Sequence, residues 1–130
     1  MKISKAILSL GSYEFIIEGD INNEEDWNNN VKFISGADEN NNAIFSETKP
    51  ITWSQIQAQL PIVEYDQAIT DLRAKRNTLL TETDYIIIKA KETGTTIPTA
   101  WKTYRQALRD ITENLTTVEE VEVVEFPTKP

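Results

Sequence analysis

The chain lacks both cysteine and histidine, and these two absences remove most of the common routes to catalysis and metal binding. Without those residues there can be no disulfide, no thiolate nucleophile, no serine–histidine pair and no usual zinc site. The four glycines are scattered, so the sequence offers no glycine-rich loop that could hold a phosphate. We therefore predict no catalytic residues, no metal ligands and no cofactor, and we expect that the protein is not an enzyme.

Long apolar runs are also missing. No stretch approaches the roughly 18 consecutive apolar residues of a membrane-spanning helix, and the first twelve residues make a poor signal peptide. The content of apolar side chains, 39%, and of charged side chains, 26%, is ordinary for a folded protein. We expect one small domain, or a domain with an appendage, and no membrane partner.

The charge is strongly one-sided. The formal net charge is −8, which argues against nucleic acid as a partner. Residues 1–61 contribute −5 and residues 116–130 contribute −3, whereas residues 62–115 are neutral and contain all four arginines. The sequence therefore predicts three regions: a β-rich region over 1–50, a helical region over 51–115 and an extended acidic tail over 116–130.

The N-terminal region is typical of strands and turns. The runs KAILSL and YEFIIE are separated by Gly11-Ser12, which favours a tight hairpin. VKFIS at 31–35 and AIF at 43–45 are further short strands, and the asparagine clusters between the runs predict turns. A helix over residues 2–10 is the alternative, since Ile3, Ile7 and Leu10 have helical spacing.

The central region carries two apolar stripes at alternating steps of three and four residues, and this spacing predicts two amphipathic helices. Before them, Thr52 is placed to cap a short helix, and Pro61 either stops this helix or opens the next one. A break follows at 81–84, and Gly94 is a typical helix end. The final helix is expected to run from Pro98 to about Asn114. The stripes are Ile62, Tyr65, Ile69, Leu72, Arg76 and Leu79, then Trp101, Tyr104, Leu108, Ile111 and Leu115.

The predicted fold class is therefore α+β: a small N-terminal antiparallel β region, then a helical hairpin, then a short extended C-terminal tail. In the tail, the pattern of EEVEVVEF suggests a short edge strand through Val124. Phe126-Pro127 and Pro130 prevent regular structure beyond it.

Aromatic and arginine side chains in the helical region are candidates for partner binding, since such residues commonly anchor protein interfaces. For each of them the alternative is packing within this protein. Arg76 could cover apolar surface with its stem, and Trp101 and Tyr104 could fill the core. The candidate set is Arg76, Trp101, Tyr104, Arg105, Arg109 and Phe126.

Three segments carry a resemblance to a known family: LRAKRNTLLTETDYIII at 72–88, TAWKTYRQALRDI at 99–111, and VVEFPTKP at 123–130. Their order resembles the tail assembly chaperone and tail-fibre assembly proteins of tailed bacteriophages. Those families show an arginine-rich helix with a Thr-Asp-aromatic turn, a Trp-x-x-Tyr-Arg-x-x-Leu-Arg helix, and an aromatic-Pro-x-x-Pro end. Tyr85 and Phe126 stand where tryptophan is commoner, but both keep an aromatic ring. The resemblance covers about half of the chain.

The resemblance implies a non-enzymatic phage protein that binds tail or tail-fibre polypeptides, either as a fibre assembly chaperone or as a structural component of the virion. It also implies a location in the virion tail, or in the host cytoplasm during assembly. Self-association through the helices is a further expectation. A small enzyme or binding module acting on host surface polymers is the alternative, which the missing motifs and small size disfavour.

Overall fold

The computed structural model describes residues 2–130, which form two compact units, one ending at Val63 and the other spanning Glu64–Pro130. The N-terminal unit contains α1, α2, a small sheet and the first turns of α3. The C-terminal unit contains the rest of α3 with α4 and α5. The elements in order are α1 (Lys2–Leu10), β1 (Phe15–Ile17), α2 (Glu24–Asn30), β2 (Val31–Ala37), β3 (Ala43–Phe45), α3 (Trp53–Thr93), α4 (Thr99–Asp110) and α5 (Val118–Glu122).

The predicted fold class is confirmed, since the three strands form one antiparallel sheet in the order β1-β2-β3 and a helical hairpin follows. Phe15 pairs with Phe33 and Ile17 with Val31, so the strand predictions over 13–18, 31–35 and 43–45 are also confirmed. β2 is long enough to pair with both neighbours, with an irregularity in register between Ile34 and Gly36.

Residues 2–10 form helix α1, so the prediction of a β-hairpin turning at Gly11-Ser12 is wrong and the alternative holds. The helix buries Ile3, Ala6 and Ile7 on one face. A strand would have pointed Ala6 and Ile7 to opposite faces, because strand side chains alternate. The helical arrangement therefore buries more of this short segment against the core.

The asparagines at 28–30 end helix α2, so the predicted turn at this cluster is wrong. The helix starts at Asn23, whose side chain accepts a hydrogen bond of 2.9 Å from the backbone N–H of Asp26. Acidic residues in the first turn suit the positive end of the helix dipole. Burial of Trp27 then fixes the helix in the core of the N-terminal unit.

Helix α3 is continuous through Pro61 and through 81–84, so both predicted breaks are wrong. Thr52 does cap it, since its hydroxyl accepts from the N–H of Gln55 and the Gln55 side chain accepts from the N–H of Thr52. Proline inside a helix costs about 3 kcal/mol. Burial of Ile56 and Val63 on either side of Pro61 offsets that cost.

The C-terminal end of α3 matches the prediction at Gly94. This glycine has a φ of +66°, and Thr95 N–H donates to the carbonyl oxygen of Ala90 over 2.9 Å. Such a left-handed cap closes a helix with glycine at low steric cost. The last predicted helix is present as α4 but ends at Asp110, four residues before the expected Asn114, whose φ is +62°.

The predicted edge strand through Val124 is also wrong, because residues Val118–Glu122 form helix α5. Thr117 and Glu120 make a capping box, in which each side chain accepts from the backbone N–H of the other residue. Local capping thus outweighs the weak strand alternation of this segment. Val121 is buried whereas Val123 is exposed, which separates the two side chains that a strand would have placed on one face.

Candidate interaction surface

A largely buried arginine joins the two helices of the hairpin. Arg105 on α4 donates from Nη1 to the carbonyl oxygen of Leu80 and to Thr83 Oγ1, both over 2.7 Å. Its Nη2 donates to Asp84 Oδ1 over 2.8 Å. The Arg105 side chain is 14% exposed and that of Asp84 is 50% exposed. We call these four residues the Arg105 clamp.

The clamp depends on a threonine in the middle of α3. Thr83 is 2% exposed, and its hydroxyl also bonds back to the carbonyl oxygens of Leu79 and Leu80 over 3.1 Å. Threonine at this position can remain helical because its hydroxyl uses its own helix as acceptor. Its oxygen lone pairs then remain available for Arg105, which explains how a polar side chain is accommodated in a buried seam.

A second set of contacts holds the base of the hairpin and the tail. Tyr65 Oη donates to the carbonyl oxygen of Leu115 over 2.8 Å. Ile69, Leu72 and Val121 form a buried cluster. The side chains that pack against this cluster are Tyr65, Ala68, Ile111, Leu115, Val124 and Phe126.

An ion pair connects the end of the tail to α3. Lys129 Nζ lies 2.9 Å from Glu82 Oε2. The hydrogen bond to Glu82 raises the pKa of Lys129 above its usual value. Phe126 lies against the cluster near Leu72, so the last residues follow α3 from its apolar cluster toward Glu82.

An open groove of about 810 Å³ lies between the last turns of α3 and one face of α4. Ile87, Ile97 and Ala107 give it an apolar part, while Lys102 and Arg109 line it with positive charge. We call this feature the α3–α4 groove. It is the strongest candidate for a docking surface in the C-terminal unit.

The structure places the sequence-predicted binding residues in different environments. Tyr104 is buried, and Trp101, half-buried, packs edge-to-face against it with ring centroids 5.8 Å apart. Arg105 is held in the clamp and Phe126 in the tail cluster. The other two are polar surface groups: Arg76 Nε donates to Asn77, and Arg109 donates to Gln106. Of the six, Arg105 and Arg109 line the α3–α4 groove.

The sequence singles out neither Lys102 nor the Glu82–Lys129 pair, and it marks Thr83 only through the motif that carries the resemblance. The Thr-Asp sequence at 83–84 was interpreted as a helix break, although its distance of about 20 residues from Arg105 fits a hairpin contact. Nothing in the sequence singles out Lys102, because its role depends on which face of α4 borders the groove.

Within residues 2–130, no group of acidic side chains is arranged to hold a metal ion. The same part of the chain contains no helix long and apolar enough to cross a membrane.

The two motif-bearing helices and the tail thus form one unit, and this is the part of the chain that has known relatives. Residues 69–130 match the family of phage tail assembly chaperone proteins. The match confirms the resemblance found in the motifs, and it lies entirely within the C-terminal compact unit. No curated protein and no solved structure matches the chain. The match supports a role in phage tail assembly.

Proposed function

We propose that this protein is a non-enzymatic chaperone that binds a tail or tail-fibre polypeptide of the phage through its C-terminal unit. The observation that carries the proposal is the agreement between the family match at 69–130 and the compact unit at Glu64–Pro130. The family relationship therefore concerns a complete folded unit with its own core, and not an isolated helix.

The candidate binding residues divide into two groups under this proposal. Arg76, Trp101 and Arg109 retain exposed surface and contact the partner. Tyr104 and Arg105 are largely buried and hold α4 in position, so they act on binding indirectly. The sixth residue, Phe126, secures the tail against α3.

The direct experiment is co-expression of the full chain with the tail and tail-fibre polypeptides encoded by the same phage. We expect affinity-tagged protein to retain one of them through purification, and we expect that polypeptide to be less soluble when expressed alone. Retention of none, together with unchanged solubility, would contradict the proposal. Incubation with host surface polysaccharide addresses the enzymatic alternative, since release of sugar fragments would contradict a non-enzymatic role.

Two variants separate contact residues from structural ones. Trp101→Ala should weaken retention of the partner with only a small change in melting temperature, because this ring is half-buried. Tyr104→Ala should unfold or strongly destabilise the unit, because its ring is buried. Equal loss of stability in both variants would place Trp101 in the core instead. Mass spectrometry of purified particles then decides between a chaperone that is released and a subunit that stays in the virion tail.

A further inference from the structure

We propose that the α3–α4 groove is the docking surface of the C-terminal unit and that it takes an acidic, apolar segment of the tail polypeptide. The inference rests on the proposed function, and it names the surface and the chemistry of the segment bound there. Its basis is the combination of apolar lining and unneutralised positive charge in one groove.

The positive charge of the groove is only partly compensated. Among the described residues, the side-chain ammonium of Lys102 takes part in no hydrogen bond or ion pair, and only its backbone N–H is bonded, to the carbonyl oxygen of Pro98. Arg109 donates from Nε and Nη2 to Gln106 Oε1, over 3.2 and 2.7 Å, and this amide carries no charge. Asp110 lines the same groove and offsets one of the two cations, and Arg105 is neutralised by Asp84.

Lys91 lies near the groove without lining it. It follows Ile87 by one helical turn on α3, so both residues lie on the same helix face. Lys91 is exposed. A groove with surplus cations in a chain of net charge −8 is suited to carboxylates of a partner.

The apolar surface next to these cations is also unusual for a helix. Ile88, 56% exposed, follows Ile87 directly on α3, and Tyr85, 64% exposed, lies two residues before Ile87 on another face of the helix, so neither side chain lines the groove itself. Exposed large apolar side chains beside a concave apolar surface commonly mark interaction sites. The partner segment should therefore carry apolar side chains between its carboxylates.

Two other occupants fit the charges less well. A second copy of this chain, bound symmetrically, would bring the same cations face to face, because a two-fold interface joins identical patches. It would also bring together two molecules that each carry a net charge of −8. Nucleic acid would meet the repulsion of the whole chain, with only a few cations at the groove to oppose it.

The test uses full-length protein and two charge-reversed variants. Lys102→Glu/Arg109→Glu reverses the groove, and Arg73→Glu/Lys75→Glu makes the same change in charge at exposed positions of α3 that do not line it. We expect the groove variant to retain at least about tenfold less tail polypeptide, since two partly exposed ion pairs contribute about 1.4 kcal/mol together. The control should bind like the unaltered protein.

Arg109 lies in the last turn of α4, where a negative side chain opposes the helix dipole. The neutral variant Lys102→Gln/Arg109→Gln avoids this effect and should show an intermediate loss of binding. Melting temperatures of all three variants are measured alongside. If the loss of binding across the three variants correlates with their decrease in melting temperature, and not with the charge at the groove, the proposal is overturned.

A peptide panel tests the groove even if no tail polypeptide is captured. The probes are fluorescein-labelled twelve-residue peptides of mixed Glu and Leu, with Lys/Leu and Ser/Leu peptides of equal length. We expect salt-sensitive binding of the Glu/Leu peptide only, and weaker binding by the groove variant.

The outcomes separate the two proposals. Capture of tail polypeptide that is equal in both charge-reversed variants would overturn the groove and leave the chaperone function standing. Peptide binding at the groove without capture of any tail polypeptide would overturn the chaperone function and leave the groove standing as a binding surface for acidic, apolar segments. A dimer of the unaltered protein that becomes monomeric only in the groove variant would identify a second copy as the occupant, and would also overturn the proposal.

Discussion

Replacement of Arg105 is the sharpest test of how the hairpin is held together. Arg105→Met keeps an apolar stem of similar length and removes the guanidinium group, so it deletes the hydrogen bonds to Leu80, Thr83 and Asp84 without opening a large cavity. The change therefore measures the polar contribution of the clamp, and not the loss of packing.

The expected loss of unfolding free energy depends on which hydrogen-bond partners each acceptor keeps after Arg105 is replaced. A hydrogen bond to a charged group contributes about 1.5–3 kcal/mol when both partners are buried. The bond to Asp84 contributes less, about 0.2–1 kcal/mol, because that carboxylate is half-exposed and is readily rehydrated. Thr83 keeps its bonds within α3, so no acceptor is stranded. The three bonds sum to about 3–7 kcal/mol, but removal of the guanidinium also removes its own desolvation cost. We therefore expect the unfolding free energy to fall by about 2–4 kcal/mol in total.

Urea unfolding followed by circular dichroism, together with hydrogen exchange of α4 amides, measures this loss. Arg109→Met on the same helix is the matched control and should change stability by less than about 0.5 kcal/mol, because that side chain is exposed. Thr83→Val with Arg105→Met completes a double-mutant cycle, with an expected coupling of about 1 kcal/mol or more. Additive effects, or equal losses in both methionine variants, would refute the clamp.

Two further predictions concern the tail and α5. Phe126→Ala should destabilise the C-terminal unit by about 1.5–2.5 kcal/mol, which is roughly half the cost at a fully buried site. The control is Val123→Ala, at a nearby side chain that is 76% exposed, and it should cost under about 0.5 kcal/mol. Equal unfolding midpoints of the two variants in urea would contradict this prediction. Backbone and hydroxyl hydrogen bonds from Thr116, then a backbone bond from Thr117, lower the pKa of Glu120 below its usual value. Its contribution to stability is therefore present above the usual glutamate pKa and is lost as the pH falls through the lowered value. An NMR titration of the Glu120 carboxylate and the Thr116 amide should show this shift, and a normal midpoint would exclude the cap.

The elements that sequence reasoning predicted well are those with a strong local pattern. The strands at 31–35 and 43–45 and the cap at Gly94 depend on alternation or on one residue type, and both signals are local. The wrong predictions all involve a competing signal. Pro61 and the Thr-Asp pair at 83–84 suggest breaks in isolation, but burial elsewhere along α3 keeps the helix continuous.

The candidate site was less accessible from the sequence. Aromatic and arginine residues could be selected by type, but type does not separate the buried Tyr104 from the exposed Arg109. That distinction depends on which face of α4 packs on α3. The groove lysine, Lys102, was missed for the same reason, since one exposed lysine resembles any other until the helices are assembled.

The clamp links two of the sequence motifs that carry the family resemblance. The Thr-Asp-aromatic motif and the Tyr-Arg motif lie about 20 residues apart, yet Thr83, Asp84 and Arg105 form one hydrogen-bonded group. An arginine at this largely buried position without its acceptors would carry a poorly compensated charge, which is more costly than a lost surface contact. The two motifs are therefore interdependent in this chain, and a change in one should be tolerated only with a matching change in the other. Arg105 itself is thus occupied within the unit, so Lys102 and Arg109 are the cations of the groove that remain available to a partner.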